Sequence, residues 1–191
     1  MVKKNDNSTT FLIGSIFILS TVLLLYGLGN SESVYAQKNT DFTATLSGKE
    51  VIPSVKTDGT GIANFEVGKN SLYYQINVLN AGKITSVQIN NGAVGTNGAV
   101  IVKLIESEDN DDVNLIGNIP PITGVTSTTQ SSSSFSASGN VNGADFKGTF
   151  KNKTIADLVL AMQSGETYVN VQTKDYPEGE LRGQISEADE R

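Results

Sequence analysis

Of 191 residues, 14 are Lys or Arg and 20 are Asp or Glu, giving a formal charge of −6, and the chain contains neither His nor Cys. Those two zeros remove Ser/His/Asp and Cys/His relays, imidazole metal ligation, disulfides, thiolate zinc sites and thiol nucleophiles. An acidic chain with scattered cations also lacks the clustered positive face that nucleic acid requires, which leaves a protein that binds or builds, or an enzyme working with carboxylates alone.

The chain opens with Lys3 and Lys4, followed by an uncharged, mostly apolar run from Phe11 to Leu28 (FLIGSIFILSTVLLLYGL) and the tripeptide Val34, Tyr35, Ala36. A basic start, an apolar stretch and short side chains at the exit form a targeting pattern, and cleavage before Gln37 fits it. At 18 residues the run exceeds the usual signal core of roughly 7–15 and approaches a membrane helix of roughly 17–25. Residues 1–36 are therefore read as a hydrophobic signal peptide or retained signal-anchor helix. Residues 37–187 are read as one exported domain and 188–191 as a polar tail. The protein is expected to be secreted or anchored at the outer face of the cell membrane, with membrane contact only through residues 11–28 if the anchor is kept.

Beyond Gln37 the period is two, the spacing of half-buried strands. Phe42, Ala44 and Leu46 share one face; Ala63, Phe65 and Val67 share another, and a Gly-Lys-Asn turn joins them to Leu72, Tyr74, Ile76 and Val78 in a predicted hairpin. Thr85, Val87 and Ile89 alternate with Ser86, Gln88 and Asn90, and an apolar run follows from Ala99 to Ile105. Glu106–Asp112 (ESEDNDD) holds five acidic residues in seven, and Thr123–Ser134 nine Ser or Thr in twelve. Both read as loops, the acidic one a weak candidate for Ca²⁺ without the spacing of an EF-hand. Thr154–Ser164 has helical spacing, with Ile155, Leu158, Val159 and Met162 on one face, Thr154 as cap and Gly165 as stop. Asn152-Lys153-Thr154 is a candidate glycosylation sequon at Asn152. Tyr168–Thr173 and Glu180–Ile185 alternate again across an Asp-Tyr-Pro-Glu-Gly turn. Many short strands with frequent turn signals and one short helix predict an antiparallel β-sandwich or barrel.

Three blocks carry a resemblance: Phe42–Val67 (FTATLSGKEVIPSVKTDGTGIANFEV), Ser86–Leu104 (SVQINNGAVGTNGAVIVKL) and Leu158–Ile185 (LVLAMQSGETYVNVQTKDYPEGELRGQI). Together, in this order, they resemble the CHRD domain, named from chordin and also found in exported bacterial and archaeal proteins. The resemblance implies an immunoglobulin-like or superoxide-dismutase-like β-sandwich and a binding or structural module; in chordin the repeats belong to an extracellular growth-factor antagonist. It attaches no general reaction to the family. Where relatives commonly carry His-Ile-His this chain has Gln88, Ile89, Asn90, and where they carry Asn-Val-His-Thr it has Asn170, Val171, Gln172, Thr173. Amides keep hydrogen-bonding capacity but do not take up a proton near neutrality and are poor copper or zinc ligands.

The candidate polar cluster, for a ligand or for internal bonding, is therefore Gln88, Asn90, Asn170, Gln172, Glu180 and Arg182, and internal bonding is the commoner use of such groups. Glu180 and Arg182 fall on one strand face, as a clamp or a fixed bridge. Gly179 suits a turn after Pro177, and Gly183 a close approach or bulge. A glycosidase would need paired carboxylates, for which Glu50, Glu66, Glu166 and Glu180 are nominal candidates without a defined separation. The reading is an exported, non-enzymatic protein without cofactor, catalytic residue or metal ligand, its partner an unidentified extracellular protein or envelope component. The alternative is a degenerate metal-binding or dismutase-like sandwich enzyme.

Overall fold

The computed structural model describes residues 41–106, 125–130 and 134–189. The targeting segment, the acidic run after Glu106 and residues 190–191 of the tail lie outside them. Among the described residues, no helix is long and apolar enough to cross a membrane.

Among the described residues the fold is antiparallel β, with ten strands, one α-helix and three short 3-10 turns. Ten strands follow in chain order: β1 (Phe42–Ser47), β2 (Thr60–Val67), β3 (Leu72–Leu79), β4 (Ile84–Asn91), β5 (Val100–Glu106), β6 (Val125–Gln130), β7 (Ser134–Val141), β8 (Thr167–Thr173), β9 (Leu181–Gln184) and β10 (Ser186–Glu187). They form one continuous sheet in the order β5-β4-β8-β9-β1-β2-β3-β7-β6, with β10 added to β1. The β2–β3 hairpin pairs Phe65 with Tyr74 and Ala63 with Ile76, so the alternation read from sequence becomes a shared buried face. Phe42, Ala44, Leu46, Leu72, Val78, Val87, Ile89, Val169, Val171 and Leu181 belong to the same core. The sheet curls until it nearly closes on itself. Phe146, after β7, bridges to Val102 of β5, and the Lys147 N–H donates to the Ile101 carbonyl at 2.8 Å. From β3 the Tyr74 hydroxyl donates to the Leu104 carbonyl at 3.0 Å. Burial and then Asp145 push the ionisation of that phenol well above its usual range, because a phenolate there would lose both water and its role as donor.

The helix α1 (Ile155–Gln163) buries Ile155, Leu158 and Met162. Its start is a reciprocal capping box: Thr154 Oγ1 accepts from the Asp157 N–H, and Asp157 Oδ2 accepts from the Thr154 N–H. These bonds hold the Asp157 carboxyl below the usual range.

Two readings require correction. Thr123–Ser134, expected to be a loop, contains β6, which pairs with β7 through Thr128↔Ala137 and Thr129↔Ser136. β6 stands at the end of the sheet path, where a strand needs a backbone partner on one side only, and Thr is a good strand former despite its polarity. β7 is likewise not legible in the sequence pattern. Its inward set of Phe135, Ala137 and Val141 is hidden among serines that face outward. The first residue of the expected acidic loop, Glu106, instead ends β5 and pairs with Lys103.

Candidate functional site

β4 and β8 lie inside the sheet, flanked by β5 and β9, and most of their residues on either face are buried. One face feeds the apolar core. The other carries Ser86, Gln88 and Asn90 on β4 and Tyr168 and Asn170 on β8, all buried, with Gln172 half-buried. Registers of Gln88↔Asn170, Asn90↔Tyr168 and Asn170↔Arg182 put these side chains side by side across three strands, as residues two apart on a strand must be. Gln88, Asn90, Tyr168, Asn170, Gln172 and Arg182 floor a cleft of about 610 Å³. Its walls come from three loops: Val51–Val55 after β1, Asn97–Ala99 before β5, and Asp175–Gly179 between β8 and β9.

Much of the floor's bonding capacity holds those walls. Asn90 Nδ2 donates to the Gly98 carbonyl at 2.9 Å, and Asn170 Nδ2 to the Glu178 carbonyl at 3.0 Å. Asn97 Nδ2 reaches the Ile52 carbonyl at 2.8 Å, tying two walls together. Arg182, 3% exposed, donates to Asn97 Oδ1 at 3.1 Å, the Ala93 carbonyl at 3.2 Å and the Thr96 carbonyl at 2.8 Å. Its guanidinium carbon stands 3.6 Å from the centre of the Tyr168 ring, and the Tyr168 hydroxyl accepts from the Gly98 N–H at 3.1 Å. Gln88 Nε2 donates to Ser86 Oγ at 3.0 Å and to Gln172 Oε1 at 3.1 Å, while Ser86 donates onward to the Ile105 carbonyl.

Some capacity is left over. Gln172 Nε2 and Asn170 Oδ1 have no hydrogen-bond partner among the described residues, although both residues line the cleft. Asn90 Oδ1 is enclosed without a donor. Its orientation follows from the bond between Nδ2 and the Gly98 carbonyl, and an acceptor in this state costs about 1–3 kcal/mol.

Five of the six sequence candidates, Gln88, Asn90, Asn170, Gln172 and Arg182, line this cleft. Glu180 does not, and it makes no bridge to Arg182. Its carboxylate accepts from Thr57 Oγ1 at 2.6 Å, the Gly82 N–H at 3.0 Å and Thr173 Oγ1 at 2.8 Å, joining the β1–β2 and β3–β4 loops to the end of β8. Glu180 precedes β9 rather than belonging to it, so strict alternation with Arg182 does not extend that far. Gly179 has φ 140° and lets the chain turn tightly against the Asn170 amide. Gly183 leaves room for the Thr45 carbonyl of neighbouring β1.

Of the other nominal carboxylates, Glu50, Glu66 and Glu166 are exposed, on a turn after β1, on β2 and after α1. Among the described residues, no three His, Cys, Asp or Glu side chains gather at one point. Asn152 lies in the turn before α1 at φ 68°, exposed, and the sequon's Thr154 hydroxyl is engaged in the helix cap.

Sequence reading missed the cleft walls. Pro53, Asn97, Asp175, Tyr176 and Glu178 reach the site from loops, and of these loops only the Asp-Tyr-Pro-Glu-Gly run carries a sequence signal, that of a turn. Comparison with curated proteins and with solved structures returns no match. The CHRD domain matches residues 42–185. That span runs from the first residue of β1 to the residue after β9, and so takes in every strand that builds the cleft: the chain belongs to the CHRD domain family.

Proposed function

We propose that this protein is exported and acts at the cell envelope as a non-enzymatic binding module, with the cleft over β4, β8 and β9 as its binding surface. The observation that carries this reading is the amide-rich floor beneath a cleft of about 610 Å³, within the usual range of roughly 300–1,000 Å³ for ligand sites. A floor used only to hold strands together would lie under packed loops. Here the loops stand at its sides, and Gln172 and Asn170 keep unused bonding groups. The basic and then apolar start of the chain supports export, and an exported chain without Cys suits a fold held by its core alone.

The test uses the full chain, tagged at its C-terminus. On intact cells, external protease removes the tag if the domain is exported, and mass spectrometry of the mature N-terminus separates a chain beginning at Gln37 from one retaining the Tyr35–Lys38 peptide. Envelopes stripped of the protein are then offered wild type and Gln172→Ala. Rebinding that the substitution weakens supports the cleft as the binding surface. Equal rebinding by both, or by neither, overturns it.

A further inference from the structure

We infer that the cleft takes a neutral, hydroxyl-rich ligand, a short glycan or the end of a longer one; this rests on the cleft being a binding surface. The first ground is charge. The floor's cation, Arg182, is spent on two carbonyls, one amide oxygen and the face of Tyr168. The mouth carries the exposed carboxylates of Asp175 and Glu178, and the chain as a whole is at −6. An anion would meet those carboxylates before it met a guanidinium already bonded, and a cation would approach that guanidinium on a floor without a carboxylate.

The second ground is the balance of donors and acceptors. Gln172 offers an unused N–H and Asn170 an unused carbonyl oxygen. Sugar hydroxyls both donate and accept, so adjacent hydroxyls match adjacent amides of either polarity. The walls add apolar surface from Val51, Pro53 and Tyr176, against which the C–H faces of a pyranose pack. The Tyr168 ring is closed to stacking, with Arg182 over one face and the residue 4% exposed.

The third ground separates glycan from peptide. Peptides commonly dock by adding a strand to an exposed sheet edge, but β4, β8 and β9 are each paired on both sides. Their backbone groups are committed, and recognition falls to side-chain amides.

The experiment is heteronuclear NMR on the ¹⁵N-labelled full chain, following the side-chain amide signals of Gln88, Asn90, Asn170 and Gln172. Cellotriose, maltotriose, chitotriose and mannotriose are titrated at millimolar concentration, and inorganic phosphate and a neutral hexapeptide library in parallel. At least one trisaccharide is expected to shift the Gln172 and Asn170 signals. Gln172→Ala should weaken that sugar about tenfold, the loss of roughly one hydrogen-bonded contact. Gln172→Glu, which keeps the acceptor for Gln88 and removes only the N–H offered to the ligand, checks the result should Gln172→Ala perturb the floor, and is also expected to weaken binding. If none of the four sugars shifts these signals, the inference is overturned. Phosphate or peptide shifting them instead overturns the ligand class while leaving the binding surface in place, and silence from every probe counts against both.

Discussion

Arg182 and Tyr168 form a stacked pair at the floor of the cleft, the guanidinium carbon 3.6 Å from the ring centre, and the same guanidinium holds the Ala93–Asn97 loop by three hydrogen bonds. One buried side chain thus joins β8, β9 and a cleft wall. Lys in its place would bring a point charge without the planar fork or the stacking face. Arg182→Lys is expected to lower stability by about 2 kcal/mol, from charged hydrogen bonds and cation–π contact together, which is a fall of roughly 4–8 °C in Tm at this chain length. Thermal melts of the two proteins decide it, and an unchanged Tm would mean the loop is held by other groups.

Glu180 illustrates what strand alternation could and could not convey. The pattern placed it on the Arg182 face, but residues before β9 do not follow the pleat, and its three partners come from Thr57, Gly82 and Thr173. Thr57 is 123 positions away in sequence, a distance no local pattern reports. Glu180→Gln retains one acceptor and turns an amide N–H toward a group that also donates. The expected cost is about 1–3 kcal/mol, measured by urea unfolding. Occupancy of the cleft should persist where the variant stays folded, because Glu180 does not line it. A ligand affinity lost without a change in stability would restore Glu180 to the site.

The strand order itself was not legible. Faces such as Phe42, Ala44, Leu46 and Leu72, Tyr74, Ile76 could be read because large apolar residues contrast with Thr, Asn and Gln between them. The contrast fades in β7, where Ser alternates with Ala and Gly, and vanishes in β6. The floor residues Gln88, Asn90, Asn170 and Gln172 were readable as two strips with a common face. Their union depended on β4 pairing with β8, and the walls on loops whose positions are set by single hydrogen bonds such as Asn97 to Ile52.

Gly183 is expected to be intolerant of any side chain. A methyl there would run into the Thr45 carbonyl, part of the paired backbone of β1, so neither partner can move without breaking the ladder. At Gly179 the obstruction is the Asn170 amide, which can swing aside, although φ 140° remains unfavourable for Ala. Gly183→Ala should therefore cost on the order of 1–3 kcal/mol as overpacking. Gly179→Ala should act by displacing the Asp175–Gly179 wall, visible as a changed Asn170 side-chain amide signal. A Gly183→Ala protein as stable as wild type would show that β9 sits further from β1.

The pH profile follows from the absence of His and Cys and from two displaced groups. Asp157 has its folded-state ionisation lowered by its bonds to Thr154. Its contribution to stability is thus present above the ordinary carboxylate value of about 4 and is lost as pH falls through the lower folded value. Tyr74 is displaced upward by burial. Its contribution is complete below the ordinary phenol value of about 10, and is lost as pH rises from there toward the folded value. Both windows lie outside neutrality, so Tm is expected to be nearly flat between pH 5.5 and 7.5, with declines on the acid and alkaline sides. Asp157→Asn should remove part of the acid dependence. Tyr74→Phe should remove part of the alkaline one while costing about 1 kcal/mol for the bond to Leu104. Calorimetric melts across the pH range measure all three. A shift above roughly 10 °C between pH 5.5 and 7.5, several kcal/mol at this chain length, would require a buried carboxylate to titrate there.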